Sequence, residues 1–175
     1  MKIAIAGSHG LIGTNLVTHF RKSNINVTRI VRLKDQNGIY WDPLTGYINH
    51  ENLENYDAII NLCGEKIASF NPFFKNKNKL ISSRVSTNLI LSKTIAKLVN
   101  PPKYFITASA TGIYKPTKRR ITESGKLNRG FLAQLALEWE EASKFYDNGK
   151  TKIINLRLGQ VISPQSFYFK VLSNI

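Results

Sequence analysis

The sharpest chemical signal in the chain is the run Gly7-Ser8-His9-Gly10-Leu11-Ile12-Gly13. Its glycines occupy the first, fourth and seventh places of a turn that follows an apolar run and opens an amphipathic one. That spacing suits a diphosphate. The first glycine permits the tight turn, the second lets backbone approach a pyrophosphate, and the third lets helix and strand pack closely. The helix opening there offers free N–H groups and about half a positive charge to an anion. His9 reads as a loop residue near the phosphates rather than a catalyst. A second cue follows the next strand. Where an NAD site places an acid for the ribose 2′-hydroxyl, this sequence has Val31-Arg32-Leu33-Lys34. The planar fork of Arg32 can grip a 2′-phosphate, so NADP(H) is the expected cofactor. Asp35 leaves NAD open, because a small shift in register brings it to the ribose.

The elements that must position these residues can be read from periodicity. Residues 2–6 form a short buried strand. Ile12, Leu16 and Phe20 then recur as the stripe of a helix packed on a sheet. Residues 27–31 are a second strand, and 39–48, with Trp41-Asp42-Pro43 and Gly46, a small hairpin or turn. Residues 56–63 are a third strand, followed by a basic, Asn-rich segment over 65–79. A helix is expected over 83–99, with Leu91, Ile95 and Leu98 on one stripe and Pro101-Pro102 stopping it. Residues 104–108 are a fourth strand and 116–128 a polar basic loop. Residues 130–146 are helical, with Phe131, Leu135, Trp139, Ala142 and Tyr146 facing one way and Gly149 capping the end. Residues 153–158 are a fifth strand. Strands apolar on both faces, alternating with helices, predict an α/β fold: a doubly wound parallel sheet of the Rossmann type, helices on both faces.

Composition bounds the partners. The 175 residues suit one domain with a real core. The apolar runs are too short for a membrane helix. No signal peptide is visible, and the single cysteine, Cys63, cannot form an internal disulfide, so a cytoplasmic location is expected. The net charge is +14, and it is concentrated. Residues 66–129 hold fourteen Lys/Arg and, as acid, only Glu123. That stretch could attract nucleic acid or another anionic partner, but no aromatic residues interleave with it as in single-strand binders. Solvated surface charge is the plainer account, and nucleic acid is not the expected partner. No metal-ligand set is apparent.

Several segments, in order, resemble the atypical extended short-chain dehydrogenase/reductase family of NAD(P)-dependent epimerase-like proteins, often labelled nucleoside-diphosphate-sugar epimerases or cell-division inhibitors. They are the glycine loop, Trp41-Asp42-Pro43 with Gly46, residues 57–65, Ser83-Arg84 with Thr87, and residues 109–114. Phe131-Leu132-Ala133, Trp139-Glu140 and Leu156-Arg157-Leu158-Gly159 complete the set. The resemblance implies that Leu62, Cys63 and Gly64 line the adenosine and diphosphate side of the cofactor. It also implies that Ser109 and Thr111 stand at a strand end beside a substrate carbonyl, where a hydroxyl can donate to developing negative charge. In two respects the chain departs from the pattern. The superfamily's Tyr-x-x-x-Lys pair is replaced by Phe131 and Leu135, which cannot perform general acid–base chemistry. Tyr114 is then the nearest phenol, with Lys115 a poor activator because neighbours on an extended chain point to opposite faces. The family also continues past Gly159 into a substrate domain, so residues 1–162 are expected to be the cofactor domain and 163–175 a remnant of the next, as in a fragment.

Three readings follow. One is an NADP(H)-dependent epimerase or oxidoreductase acting on a small-molecule substrate that the sequence does not name, with a homo-oligomer left open. The second is a non-catalytic cofactor-binding or sensor module. The third is a binder of nucleic acid or an acidic partner through residues 66–129.

Overall fold

The computed structural model describes residues 1–65, 67 and 77–164. The elements are β1 (Lys2–Ala6), α1 (Leu11–Lys22), β2 (Asn26–Val31), β3 (Ile39–Asp42), β4 (Tyr47–Ile48), β5 (Ala58–Asn61) and α2 (Lys77–Ile81). A π-helical turn (Ser82–Ser86) leads into α3 (Thr87–Lys97), and β6 (Tyr104–Ala110), α4 (Phe131–Lys144) and β7 (Lys152–Leu158) complete the set. The strands form one sheet in the order β4-β3-β2-β1-β5-β6-β7. Every neighbouring pair is parallel except β3 with β4. The chain starts at the middle of the sheet, builds outward to β4, then returns to the other side of β1. Order therefore reverses between β1 and β5, which opens a crevice at the carboxyl ends of those strands.

Strand periodicity sorts the core into two faces. Ile3 and Ile5 pack with Val17 of α1, Val27, Ala58 and Ile60 on one side. Ala4 and Ala6 face the other way, with Ile30, Trp41, Ile59, Phe105 and the α3 residues Leu91 and Ile95. Both faces are thus covered by helix, and each fully buried Leu or Ile contributes about 1.5–3 kcal/mol relative to exposure. A polar seam runs inside this core. Asn61 is fully buried and donates to Thr87 Oγ1 (3.2 Å) and Asn88 Oδ1 (2.7 Å). Asn88 in turn donates to the Trp139 carbonyl at 2.8 Å, and Ser92 to that of Ala142 at 3.1 Å, tying α3 to α4.

The structure corrects several local expectations. In α1 the residues against the sheet are Gly13 and Val17, with Leu16 and Phe20 half-buried beside them. The absence of a side chain at Gly13 seats the helix one residue off the expected stripe. The hairpin at 39–48 is real, and β3 also joins the parallel sheet beside β2. The helical segment before β6 begins at Lys77 and ends at Lys97, ahead of the prolines. The Glu54 carboxylate, which accepts from Val99 N–H (2.9 Å) and Asn100 N–H (2.8 Å), fixes the chain after that stop. Gly149 does not cap α4, which ends at Lys144. It occupies a left-handed turn (φ +66°) into β7, where Asn148 Oδ1 accepts from the Lys150 and Thr151 amides, each at 2.9 Å. Nor is β7 buried on both faces: the last strand of the sheet among the described residues, it leaves Lys152 and Leu156 exposed. Tyr146 lies beyond the helix it was expected to stripe. Most of the basic segment 65–79, and residues 165–175 of the expected 163–175 remnant, lie outside the described residues. Among the described residues, no helix is long and apolar enough to cross a membrane.

Candidate functional site

At the end of β1 the chain turns at Gly7 with φ +72°, and Gly10 N–H donates back to Gly7 O at 3.1 Å. Positive φ of this kind is cheap only for glycine. A Cβ at Gly7 would also lie 2.6 Å from the Leu62 carbonyl carbon and 2.8 Å from Cys63 N, so the turn rests directly on the strand-end backbone of β5. A Cβ at Gly13 would lie 2.4 Å from Gly7 O and 2.7 Å from Ser8 Cα, so only glycine lets α1 sit this close to the loop. Gly10 differs: a Cβ there would meet one atom, Gly7 O, at 3.4 Å. The first and third glycines are therefore required by the protein's own packing, whereas the second leaves a bare backbone face.

Gly10 is also the N-cap of α1, with no side-chain cap and no acid in the first turn. An uncapped N-terminus free of carboxylates keeps its positive end available to an anion. His9 and Gly10 are exposed at the tip of the loop; Leu11 and Ile12 are half-buried. Ser8 is fully buried, and its hydroxyl has no hydrogen-bond partner. Arg29 of β2 donates through Nη1 to the Ser8 carbonyl at 2.5 Å. Arg32 is exposed just past β2, close enough to the end of β5 that its charge acts on the Cys63 thiol. Burial dominates there and pushes that thiol up to about 12, with Arg32 pulling the other way. Cys63 N–H donates to Asn61 Oδ1 at 3.0 Å, and Gly64 lies against the Arg84 guanidinium. The structure thus brings the glycine loop, Arg32 and Leu62-Cys63-Gly64 to one edge of the sheet.

The same carboxyl edge continues across β6 and β7, paired through Ser109 opposite Arg157 and Ala110 opposite Leu158. Ser109 is buried and donates to Glu140 Oε1 at 2.6 Å, so its proton is committed within the protein. Arg157 grips Glu140 with both ends of its fork: Nε to Oε1 and Nη2 to Oε2, each 2.8 Å. Burial opposes the charge of Glu140, but the hydrogen bonds from Arg157 and Ser109 outweigh it and hold the carboxyl below its ordinary range. The remaining arm of Arg157 donates to the Tyr114 hydroxyl and to Glu123 O (3.1 Å). Its guanidinium carbon stands 5.1 Å from the centre of the Tyr114 ring. Thr111 is exposed and donates weakly to Leu158 O at 3.4 Å. Tyr114 therefore has a cationic neighbour from β7, rather than Lys115. At the head of α4, Phe131 lies beneath Lys77 Nζ, 5.1 Å above the ring centre, and Leu135 is buried.

Ser109, Thr111 and Tyr114 share one neighbourhood, but Ser109 and Tyr114 are organised by Glu140 and Arg157, which carried no assigned role in the sequence reading, and Thr111 bonds to the Leu158 carbonyl instead. Both lie in segments already noted for resemblance, Trp139-Glu140 and Leu156-Arg157-Leu158; an acid on an otherwise apolar helix stripe was the available signal. Arg29 was missed outright. Among the described residues no three His, Cys, Asp or Glu converge as a metal set would.

Comparison with known proteins places the chain in a family. Residues 3–175 match the NAD dependent epimerase/dehydratase family. Over 165 residues the chain is 36% identical to epimerase family protein Mb2239 of Mycobacterium bovis, covering 93% of this chain and 54% of the relative. It is 30% identical to epimerase family protein SA0724 of Staphylococcus aureus over 171 residues, 92% of this chain and 55% of that protein. The chain thus spans about half the length of these relatives. Among solved structures, a nucleoside-diphosphate sugar epimerase from Corynebacterium glutamicum superimposes with a TM-score of 0.85 at 26% identity, over 99% of this chain and 37% of that one. Human epimerase family protein SDR39U1, solved with NADPH, gives 0.82 at 25% identity, over 99% of this chain and 59% of that one. With its sheet order, its glycine loop and a match along nearly its whole length, the chain belongs to the NAD dependent epimerase/dehydratase family.

Proposed function

We propose that this chain binds a nicotinamide dinucleotide along the carboxyl edge of its sheet, preferring NADP(H), and forms the cofactor half of an epimerase- or oxidoreductase-type protein. The observation that carries the reading is the loop: Gly7 and Gly13 are sterically obligatory, while Gly10 leaves open backbone at an uncapped helix N-terminus. A buried Ser8 hydroxyl without a partner fits a loop whose hydrogen bonding a ligand completes. In this reading the backbone of residues 7–13 holds the diphosphate, Leu62, Cys63 and Gly64 flank the adenosine and diphosphate, and Arg32 pairs with the 2′-phosphate. The NADPH in the human relative's structure supports the phosphorylated cofactor. When bound, the nicotinamide would supply a hydride donor or acceptor.

The chain's own chemistry then falls to Tyr114. Its phenol oxygen accepts a hydrogen bond from the Arg157 guanidinium, itself gripped by Glu140 with Ser109 behind it, which fixes the hydroxyl where it could donate its proton to a substrate oxygen. Thr111 stands exposed beside it to orient a substrate. Ser109 serves the Glu140 carboxylate and acts on Tyr114 through it.

Thermal unfolding with NADPH, NADH and no ligand tests the binding. At about 100 times the dissociation constant, ligand should add about 2.7 kcal/mol, which for a chain of this size is a rise of roughly 5–10 °C. An unchanged melting temperature with both cofactors refutes the proposal. A second reading, cofactor binding without catalysis, is favoured by Phe131 and the buried Leu135 at the head of α4. NADPH oxidation against a panel of carbonyl and nucleotide-sugar substrates, with Tyr114→Phe as control, separates the two.

A further inference from the structure

Arg29 sits in the middle of β2, opposite Ile5 of β1, and is half-buried. Among the described residues no carboxylate pairs with it. Its guanidinium instead donates to a main-chain oxygen, Ser8 O, at 2.5 Å, across 21 residues of sequence. Thr14 Oγ1, from the first turn of α1, reaches the same oxygen at 3.5 Å. A charged donor on a neutral carbonyl is among the stronger hydrogen bonds available to a protein. Its effect on the loop follows from peptide geometry. The Ser8–His9 peptide is planar and trans, so its C=O and N–H point in opposite directions. A cation that holds Ser8 O toward β2 therefore turns the His9 N–H away from β2, toward the open side of the loop. The hydrogen bond also polarises that peptide, making its N–H a better donor.

We infer that Arg29 is a positioning residue: it locks the Ser8–His9 peptide so that the His9 amide faces the cofactor's diphosphate, while Arg32 reads the 2′-phosphate. This rests on the dinucleotide reading above. It divides two arginines three residues apart into different duties. One acts on the part common to NAD(H) and NADP(H), the other on the part that distinguishes them.

The test is direct titration of the 175-residue chain with NADPH and with NADH, for wild type, Arg29→Met, Arg29→Lys and Arg32→Gln, with apo melting temperatures alongside. Arg29→Met should weaken both cofactors by the same factor, about ten-fold, equivalent to about 1.4 kcal/mol. Arg29→Lys, which can still donate to the carbonyl, should recover part of the loss on both. Arg32→Gln should weaken NADPH alone. The inference is overturned if Arg29→Met binds both cofactors as wild type does, whatever its melting temperature. It is also overturned if Arg29→Met loses NADPH selectively, since Arg29 would then touch the 2′-phosphate itself. Should Arg29→Met not fold, Arg29→Lys decides by the same comparison. Wild-type protein that binds neither cofactor refutes the dinucleotide reading, and the role of Arg29 with it.

Discussion

Alanine at Gly13 and at Gly10 should produce opposite signatures. At Gly13 the new methyl would lie 2.4 Å from Gly7 O and 2.7 Å from Ser8 Cα, and both are backbone atoms that no side-chain rotation can move. Overpacking of this kind costs about 1–3 kcal/mol, and a clash this close belongs at the top of that range. Against it stands the helix propensity of alanine, worth about 1 kcal/mol over glycine inside a helix. The net loss is about 2 kcal/mol, a fall in melting temperature of roughly 4–8 °C at this chain length. Cofactor affinity should fall too, because the loop must shift. At Gly10 the backbone is extended (φ −75°, ψ 174°), which any residue adopts, and the nearest protein atom is 3.4 Å from the added methyl. Gly10→Ala should therefore lose less than about 1 kcal/mol of apo stability, the cost of a poorer N-cap, yet obstruct a diphosphate drawn against that backbone. Apo thermal unfolding paired with NADPH titration separates the two variants. If Gly13→Ala melts with wild type, the close seating of α1 on the loop is wrong. If Gly10→Ala binds NADPH with full affinity, the bare face at Gly10 is not where phosphate sits.

Other perturbations address the rest of the molecule. Asn88→Ala should cost about 2 kcal/mol in urea denaturation, because it removes the 2.7 Å acceptor of the buried Asn61 amide and the side-chain bond that ties α3 to the Trp139 carbonyl of α4. Glu140 is held below its ordinary pKa of 4.5, so its contribution to stability is complete above that value and is lost as pH falls through the folded-state value. Glu140→Gln should flatten the acid limb of a stability–pH profile, and an unchanged limb would contradict the Arg157 pairing. Cys63, with its thiol pushed to about 12, should react with a disulfide reagent at pH 8 about a thousand-fold more slowly when folded than in urea. Tyr114→Phe should leave cofactor affinity within two-fold, roughly 0.4 kcal/mol, while abolishing any turnover, and turnover equal to wild type would remove the phenol from the chemistry.

The parts of this fold that were legible in the sequence are those written in local periods. The glycine spacing, the apolar runs of β1 and β5 and the Leu91–Ile95 stripe each declare themselves within a dozen residues, and their alternation fixes a parallel sheet. The hairpin at 39–48 was visible, but its docking beside β2 was not, because strand pairing is chosen by tertiary contact. Helix ends failed for a similar reason. The chain after α3 is fixed by a carboxylate 45 residues earlier in sequence, Glu54, rather than by the prolines, and Gly149 serves a turn stabilised by Asn148. In the site, Arg32 drew notice because it stands where an acid was expected. Arg29 did not, since nothing near it in sequence says that its partner is the carbonyl of Ser8. Ser109 and Tyr114 were found as isolated hydroxyls, but the acid and the cation that organise them come from α4 and β7.

The buried amide of Asn61 has a mechanical consequence. It takes the Cys63 N–H on one side and gives its own protons to α3 on the other, and α3 passes the connection through Asn88 to the main chain of α4 at Trp139. The next residue along α4 is Glu140, which anchors the guanidinium against Tyr114. The two ends of the crevice are therefore braced to a single strut, and a displacement of α4 large enough to release the phenol would also tug on the backbone at Cys63, beyond the end of β5.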